Sequence, residues 1–297
     1  MRRLIVNADD FGFTAGINRA IVEAHTRGIV TSTTLMANGR AFDDAVRSAA
    51  TVPGLSVGCH VVLIDGVPVL DADRLPSITT SNASGSHFRD GLKSFAARAL
   101  AGRLSPHEIE IEVSAQIRRL QSAGVSVSHV DTHKHTHLFP AVLRPLLHAA
   151  RACGVRAVRN PFGPSKPLKS SALLARPGLW TRYAEVKILR TLAAKFRDAV
   201  KREGFVTPDG TLGIVVTGAL DEKLFRGIAA IIPEGTWEFV CHPGYNDADL
   251  ASASTRLRQS RETELHVLTM PEARQLLSDE GIVLISYRDL LLTKTEP

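Results

Sequence analysis

The chain of 297 residues is 44% hydrophobic and 22% charged, with a net charge of +6. That composition supplies a sizeable core and excludes a largely disordered chain, and the length allows one large domain or two. No apolar run approaches the roughly 18 residues of a membrane span. The three widely spaced cysteines, Cys59, Cys153 and Cys241, form no disulfide framework and fit a reducing cytoplasm.

A first strand is predicted at 4–8. Asp9 and Asp10 interrupt the apolar stretch behind Arg2 and Arg3, which is unlike a secretory signal. The strand ends on Asn7-Ala8-Asp9-Asp10-Phe11-Gly12. Two adjacent carboxylates are costly to hold together unless a cation neutralises them. A divalent metal would do so and leave one carboxylate free as a base. The bland alternative is a loop in which Asp10 caps a turn. A helix at 16–27, a strand at 30–36 and a helix at 41–50 follow. The next strand, 55–63, carries Gly58-Cys59-His60. His60 is a metal ligand or a structural histidine there, and Cys59, one residue away, faces the opposite side and packs.

Residues 67–104 lack clean periodicity and include a turn-rich tract at 79–86. They read as an insertion over the site. A helix at 106–122 leads to a strand at 127–133, where His129, Asp131, His133, His135 and His137 occupy every second position. In an extended chain all five point one way. Burying so many imidazoles without a metal or carboxylate partners would be costly, and imidazole is a common ligand of zinc and other divalent ions. Four histidines are too many for one ion, so the remainder would orient ligands or shape the pocket.

After a helix at 141–152, a short strand at 157–159 ends on Arg159. That residue could reach the site or pair with a carboxylate in it. The segment 165–204 holds ten lysines and arginines against three acids, a net +7, and the remaining residues net −1. A helix predicted at 180–202 places Val186, Leu189, Ala193, Phe196 and Val200 on one face, with Lys187, Arg190, Arg197 and Lys201 on another. Such a face suits an anionic membrane or phosphate; a solvated surface or a homodimer contact are the alternatives. With the excess confined to one segment, the basic balance gives no reason to expect nucleic acid as a partner. A strand at 212–216 and a helix at 221–232 come next. The strand at 237–242 ends on Cys241-His242-Pro243-Gly244-Tyr245. His242 suits a general acid near neutral pH, or is a turn histidine satisfied by backbone groups. A helix at 256–269 and a strand at 282–286 close the chain. Gly28, Gly124, Gly154 and Gly204 are expected to stop helices in left-handed conformation.

About eight strands alternating with helices predict an α/β fold with a parallel sheet. A TIM-barrel-like (β/α) barrel of seven or eight strands and an open doubly wound sheet compete. No GxGxxG or P-loop follows the first strand. Candidate residues at the ends of four strands favour the barrel. No linker divides the chain, so a single domain over 1–297 is expected.

Together these motifs resemble the YdjC-like carbohydrate deacetylases, a family that includes chitooligosaccharide deacetylases and those associated with hopanoid biosynthesis. The resemblance is carried by LIVNADDFG at 4–12, GIVTSTTLMANG at 28–39, the Gly-x-His of 58–60, HVDTHKHTHLFP at 129–140, CHPGY at 241–245 and GIVLISYRDL at 281–290. It implies a barrel holding one divalent ion, Mg2+ or Zn2+, and hydrolysis of an N-acetyl group on an amino sugar, free or lipid-linked. By motif position it makes Asp10, His60 and His133 the metal ligands and Asp9 the general base. His242 is the proposed general acid, with Arg159 and Tyr245 as substrate-binding candidates. A cytoplasmic enzyme, working in solution or at the inner face of the membrane, is the matching expectation. The competing functions are a metal-dependent sugar isomerase or phosphoester hydrolase on the same barrel, and a non-catalytic sugar- or lipid-binding protein. An isomerase would want more carboxylate ligands, and binding alone would not require a base beside a ligand.

Overall fold

The computed structural model describes residues 1–82, 85–89 and 91–293. Its strands are β1 (Arg2–Phe11), β2 (Ser32–Leu35), β3 (Ser56–Val61), β4 (Thr79–Asn82), β5 (Gly85–Phe88), β6 (Val130–Thr132), β7 (Gly210–Leu212), β8 (Gly235–Cys241) and β9 (Ile282–Leu284). The first helices are α1 (Ala15–Thr26), α2 (Phe42–Thr51), α3 (Leu92–Leu100), α4 (Pro106–Ser122) and α5 (Pro140–Ala152). Then come α6 (Ser170–Leu174), α7 (Trp180–Leu189), α8 (Ala193–Arg202) and α9 (Glu222–Ala229). The last are α10 (Ala248–Ser252), α11 (Gln259–Thr269), α12 (Ala273–Asp279) and α13 (Tyr287–Leu292).

One curled parallel sheet runs β6-β3-β2-β1-β8-β7, and β9 pairs with the first residues of β1. All its ladders are parallel, so every strand's C-terminal end lies at the same end of the molecule. β1 is central: its residues from Leu4 to Phe11 are all buried, and it opens on the apolar run Leu4-Ile5-Val6, which suits a strand covered on both faces. Between β6 and β7 the regular ladder gives way to isolated bridges, Val130 to Val158 and Ala157 to Val206. The strand expected at 157–159 is therefore only this pair of bridges.

Other expectations shift locally. The helix expected at 180–202 is interrupted by a 3-10 turn over Arg190–Leu192, which separates α7 from α8. The strand expected at 212–216 stops at Leu212, because Gly213 turns the chain at φ +94 into a 3-10 turn. The tract 67–104 contains the β4–β5 hairpin and α3, and buries Leu75, Ile78, Phe88 and Phe95 in the main core. Ala83, Ser84 and Asp90 of that tract lie outside the described residues. Gly28 does not take the left-handed conformation expected of it. A Cβ there would stand 2.2 Å from the Leu268 carbonyl oxygen, so the constraint is close backbone approach.

Candidate metal centre and its neighbours

The C-terminal end of the sheet gathers the candidate residues. Asp9 and Asp10 close β1, His60 lies near the end of β3, and His133 and His242 follow β6 and β8 by one residue. Neighbouring strand residues ordinarily face opposite sides. Here Asp10 takes φ +69, and the β1–β2 register slips between Ala8 and Phe11. Such an irregularity re-aims a side chain, and it lets both carboxylates serve one site.

Asp10 Oδ1, His60 Nε2 and His133 Nδ1 form a triangle. The two imidazole nitrogens are 3.3 Å apart, and each lies 3.6 Å from the carboxylate oxygen. Ligands about 2.1 Å from a tetrahedral zinc are about 3.4 Å from one another, so the triangle has the dimensions of one face of such a site. The donor set also suits a divalent ion. His60 Nδ1 donates to Asp131 Oδ1 at 2.8 Å, which leaves Nε2 for the centre. Burial pushes the His60 pKa down, yet Asp131, Asp9 and Asp10 outweigh it and lift it to about 9. The same field favours a cation at Nε2. A second set of ligand-type atoms, from Asp9, His60 and Asp131, also converges, but a guanidinium already neutralises its carboxylates.

That guanidinium is Arg159, fully buried. Its Nη1 and Nη2 bond Asp9 at 2.9 and 2.6 Å, Nη1 also pairs with Asp131, and Nε and Nη2 bond Glu238 at 2.9 and 2.7 Å. Burial raises the Asp9 pKa and Arg159 lowers it; the net shift is downward, as it is for Asp131. Asp9 is thereby held ionised, with Asn7 Nδ2 donating to it at 2.9 Å. Of the two readings of Arg159 open in the sequence, the geometry is that of carboxylate pairing. Its donors face Asp9, Asp131 and Glu238 beneath the site, a placement at odds with direct contact to substrate.

From α11, Arg261 Nη2 bonds Asp10 Oδ2 at 2.5 Å, leaving Oδ1 for the triangle. Burial raises the Asp10 carboxyl pKa, and Arg261 with His133 brings it well below the usual range. One turn on, Glu264 Oε2 accepts the His242 backbone N–H at 2.6 Å and lies 3.9 Å from Nδ1 of the same imidazole. His242 Nε2 is 3.9 Å from Asp9 Oδ2. Burial lowers the His242 pKa against the pull of Glu264 and Asp9. Neither Arg261 nor Glu264 lies in a local motif, and the three-residue spacing on α11 was the only available signal. Glu238 had a clearer one, an acid inside the apolar run Trp237-Glu238-Phe239-Val240. Tyr245 turns its hydroxyl to Glu23 of α1, with Arg19 5.5 Å above its ring.

The histidine row does not stay extended. Strand β6 ends at Thr132, and Lys134 and His135 take φ values of +53 and +54. Thr132 closes the turn, its Oγ1 accepting the His137 N–H at 3.0 Å and lying 2.7 Å from His137 Nδ1. The row therefore breaks after His133: Asp131 and His133 both meet His60, and the other histidines go elsewhere. His129 stacks on Tyr287 at 3.5 Å, and His137 lies 3.2 Å from the Arg159 carbonyl oxygen. Burial pushes their pKa values down to about 3 for His129 and about 4 for His137, against the usual 6.5. Folded-state values below the unfolded one mean that protons favour the unfolded chain. Stability from these groups is complete above pH 6.5 and is lost as pH falls toward 4, by about 1.4 kcal/mol per pH unit for each histidine. A melting temperature falling across that window in wild type, and falling less steeply in His137→Asn, is the expected result. Parallel profiles would contradict it.

The family model described as YdjC-like protein matches residues 3–279. A carbohydrate deacetylase of Brevibacillus brevis is 33% identical over 97% of this chain and 99% of its own length. A chitooligosaccharide deacetylase of Escherichia fergusonii is 31% identical over 97% and 99%. A solved structure from Enterococcus faecalis V583, named for cellobiose-phosphate cleavage, superposes with a TM-score of 0.76 at 27% identity, over 97% of this chain and 98% of that one.

Proposed function

Because the chain belongs to the YdjC-like family, we propose that it hydrolyses the N-acetyl amide of an amino sugar, in an oligosaccharide or a glycolipid, and releases acetate. In this reading Asp10, His60 and His133 hold one divalent ion, Mg2+ or Zn2+. The observation that carries it is the triangle of ligand atoms from three strands, with a separate ionised carboxylate and an imidazole beside it. That the relatives are a carbohydrate deacetylase and a chitooligosaccharide deacetylase by name supports the substrate class. We read the sheet, with its bridged arc, as an incomplete (β/α) barrel forming one domain.

A bound ion would polarise the acetyl carbonyl and ease ionisation of water. The chain's own residues do the rest. Asp9 takes the proton of the attacking water at Oδ2, which keeps lone-pair capacity beside its bond from Arg159. Oxygen adds to the carbonyl carbon, and the C–N bond then breaks. In its protonated form, which burial disfavours and the Glu264 and Asp9 carboxylates favour, His242 gives the nitrogen its proton from Nε2, and Glu264 accepts its backbone N–H. Arg159 is a positioning residue that keeps Asp9 charged and aimed. The products are acetate and a free amine. A set with one carboxylate ligand and two imidazoles favours this over the isomerase reading.

His133→Ala is expected to lower bound metal to well under one equivalent by elemental analysis, with acetate release from N-acetylated sugars falling in step. Full metal content in that variant would remove His133 from the ligand set.

A further inference from the structure

Among the described residues, large exposed apolar side chains are not scattered. Met1, Val283 and Leu292 lie near the chain ends. The other six are Val67, Leu92 and Leu100 in the tract after β3, and Leu174, Trp180 and Ile188 on α6 and α7. The first tract follows the C-terminal end of β3 and the second follows the parallel-bridged residues Ala157 and Val158, so both lie at the end of the sheet that bears the site. Phe95 of α3 packs 6.4 Å from Phe139 at the start of α5, which anchors the first tract there. Arg182 of α7 reaches the Thr217 carbonyl beyond β7, and Arg190 reaches that of Gly163, which anchors the second.

Helix α7 has two apolar sides. Tyr183, Val186 and Leu189 pack on the core. Trp180, Ala184 and Ile188, at four-residue spacing, form an outward row, with Trp180 53% and Ile188 69% exposed. Leu174 is 73% exposed, and its neighbour Leu173 accepts the Trp180 indole N–H at 2.7 Å, which joins α6 to the row. Lys166, Lys169 and Lys187 are exposed in the same segment, which carries the whole positive excess of the chain. Apolar side chains including an indole, set among lysines, match an anionic bilayer surface in both polarity and charge.

We propose that α6 and α7 dock the site-bearing end of the protein on an anionic lipid surface, with Trp180, Ile188 and Leu174 entering the headgroup boundary. This goes beyond the deacetylase reading and does not depend on it, because binding is measured without turnover. The full chain would be sedimented with vesicles of phosphatidylglycerol and phosphatidylcholine, and with phosphatidylcholine alone, at low and high salt. Expected are binding to the anionic vesicles only, its loss at high salt, and a blue shift of Trp180 emission. Trp237, the other tryptophan, is buried and should report no change. Trp180→Glu with Ile188→Glu should weaken partitioning at least about tenfold, and so should reversal of Lys166, Lys169 and Lys187, with melting unchanged. No binding to anionic vesicles at low salt would overturn the proposal. So would equal binding by the variants, or a dimer that the apolar variant converts to a monomer without any vesicle binding.

Discussion

Asp9→Asn is expected to cut kcat for acetate release by about 100- to 10,000-fold, the range typical of removing a positioned general base. Asparagine is close in size and still accepts a hydrogen bond from Arg159, so the geometry should survive. It cannot take a proton from water. Bound metal should stay at the wild-type level, because Asp9 is bonded to Arg159 and Asn7 while Asp10 Oδ1 faces the two histidines. KM should move little, since the change touches the reacting water more than the sugar. Paired kinetics and elemental analysis separate the roles. Loss of metal would make Asp9 a ligand, and near-normal turnover would move the base elsewhere.

Arg159→Met is expected to cost about 3–5 kcal/mol of stability or to prevent folding at neutral pH, the usual effect of breaking a buried ion pair from one side. Methionine fills much of the volume, so charge is the main loss. Asp9, Asp131 and Glu238 would be left buried with His60 as their nearest cation. Their pKa values in the folded variant should then rise above unfolded ones, and such groups add stability as pH falls. The deficit should shrink between pH 8 and pH 5, and adding Glu238→Gln should recover part of it. A variant as stable as wild type at pH 8 would mean that the cluster is neutralised another way.

Much of the frame was legible because local patterns decide it. The helix expected at 106–122 is α4 itself, begun by Ser105 accepting from Glu108 N–H and by Pro106 in the first turn. The strand-end residues Asp9, Asp10, His60, His133 and His242 do meet, since a parallel sheet brings those ends together. The histidine row failed where the period-two pattern continued past the strand and Thr132 tied the chain into a turn. Arg261 escaped notice because its partner, Asp10, is 251 positions away in sequence. Spacing along one helix does not report a contact of that range. Arg159 lay open between two roles until the three carboxylates around it had positions.

The arc between β6 and β7, where regular pairing lapses, is also where Arg159 enters. Side chains there add to a few backbone bonds, such as Val130 N–H to the Ala157 carbonyl at 3.0 Å and Val158 N–H to that of Val206 at 3.0 Å: Asn160 donates to the Asp209 carbonyl at 2.9 Å, Thr211 to the Asn160 carbonyl at 2.7 Å, and Thr207 to that of Val158 at 2.8 Å. The Arg159 N–H itself bonds the Val130 carbonyl at 3.1 Å, so the backbone that bridges to β6 also carries the guanidinium held by Asp9, Asp131 and Glu238. The segment that bridges to β6 is the same one that keeps the proposed base ionised. A molecule whose seam has opened has also lost the cation that keeps Asp9 ready, so local opening and inactivation would be a single event.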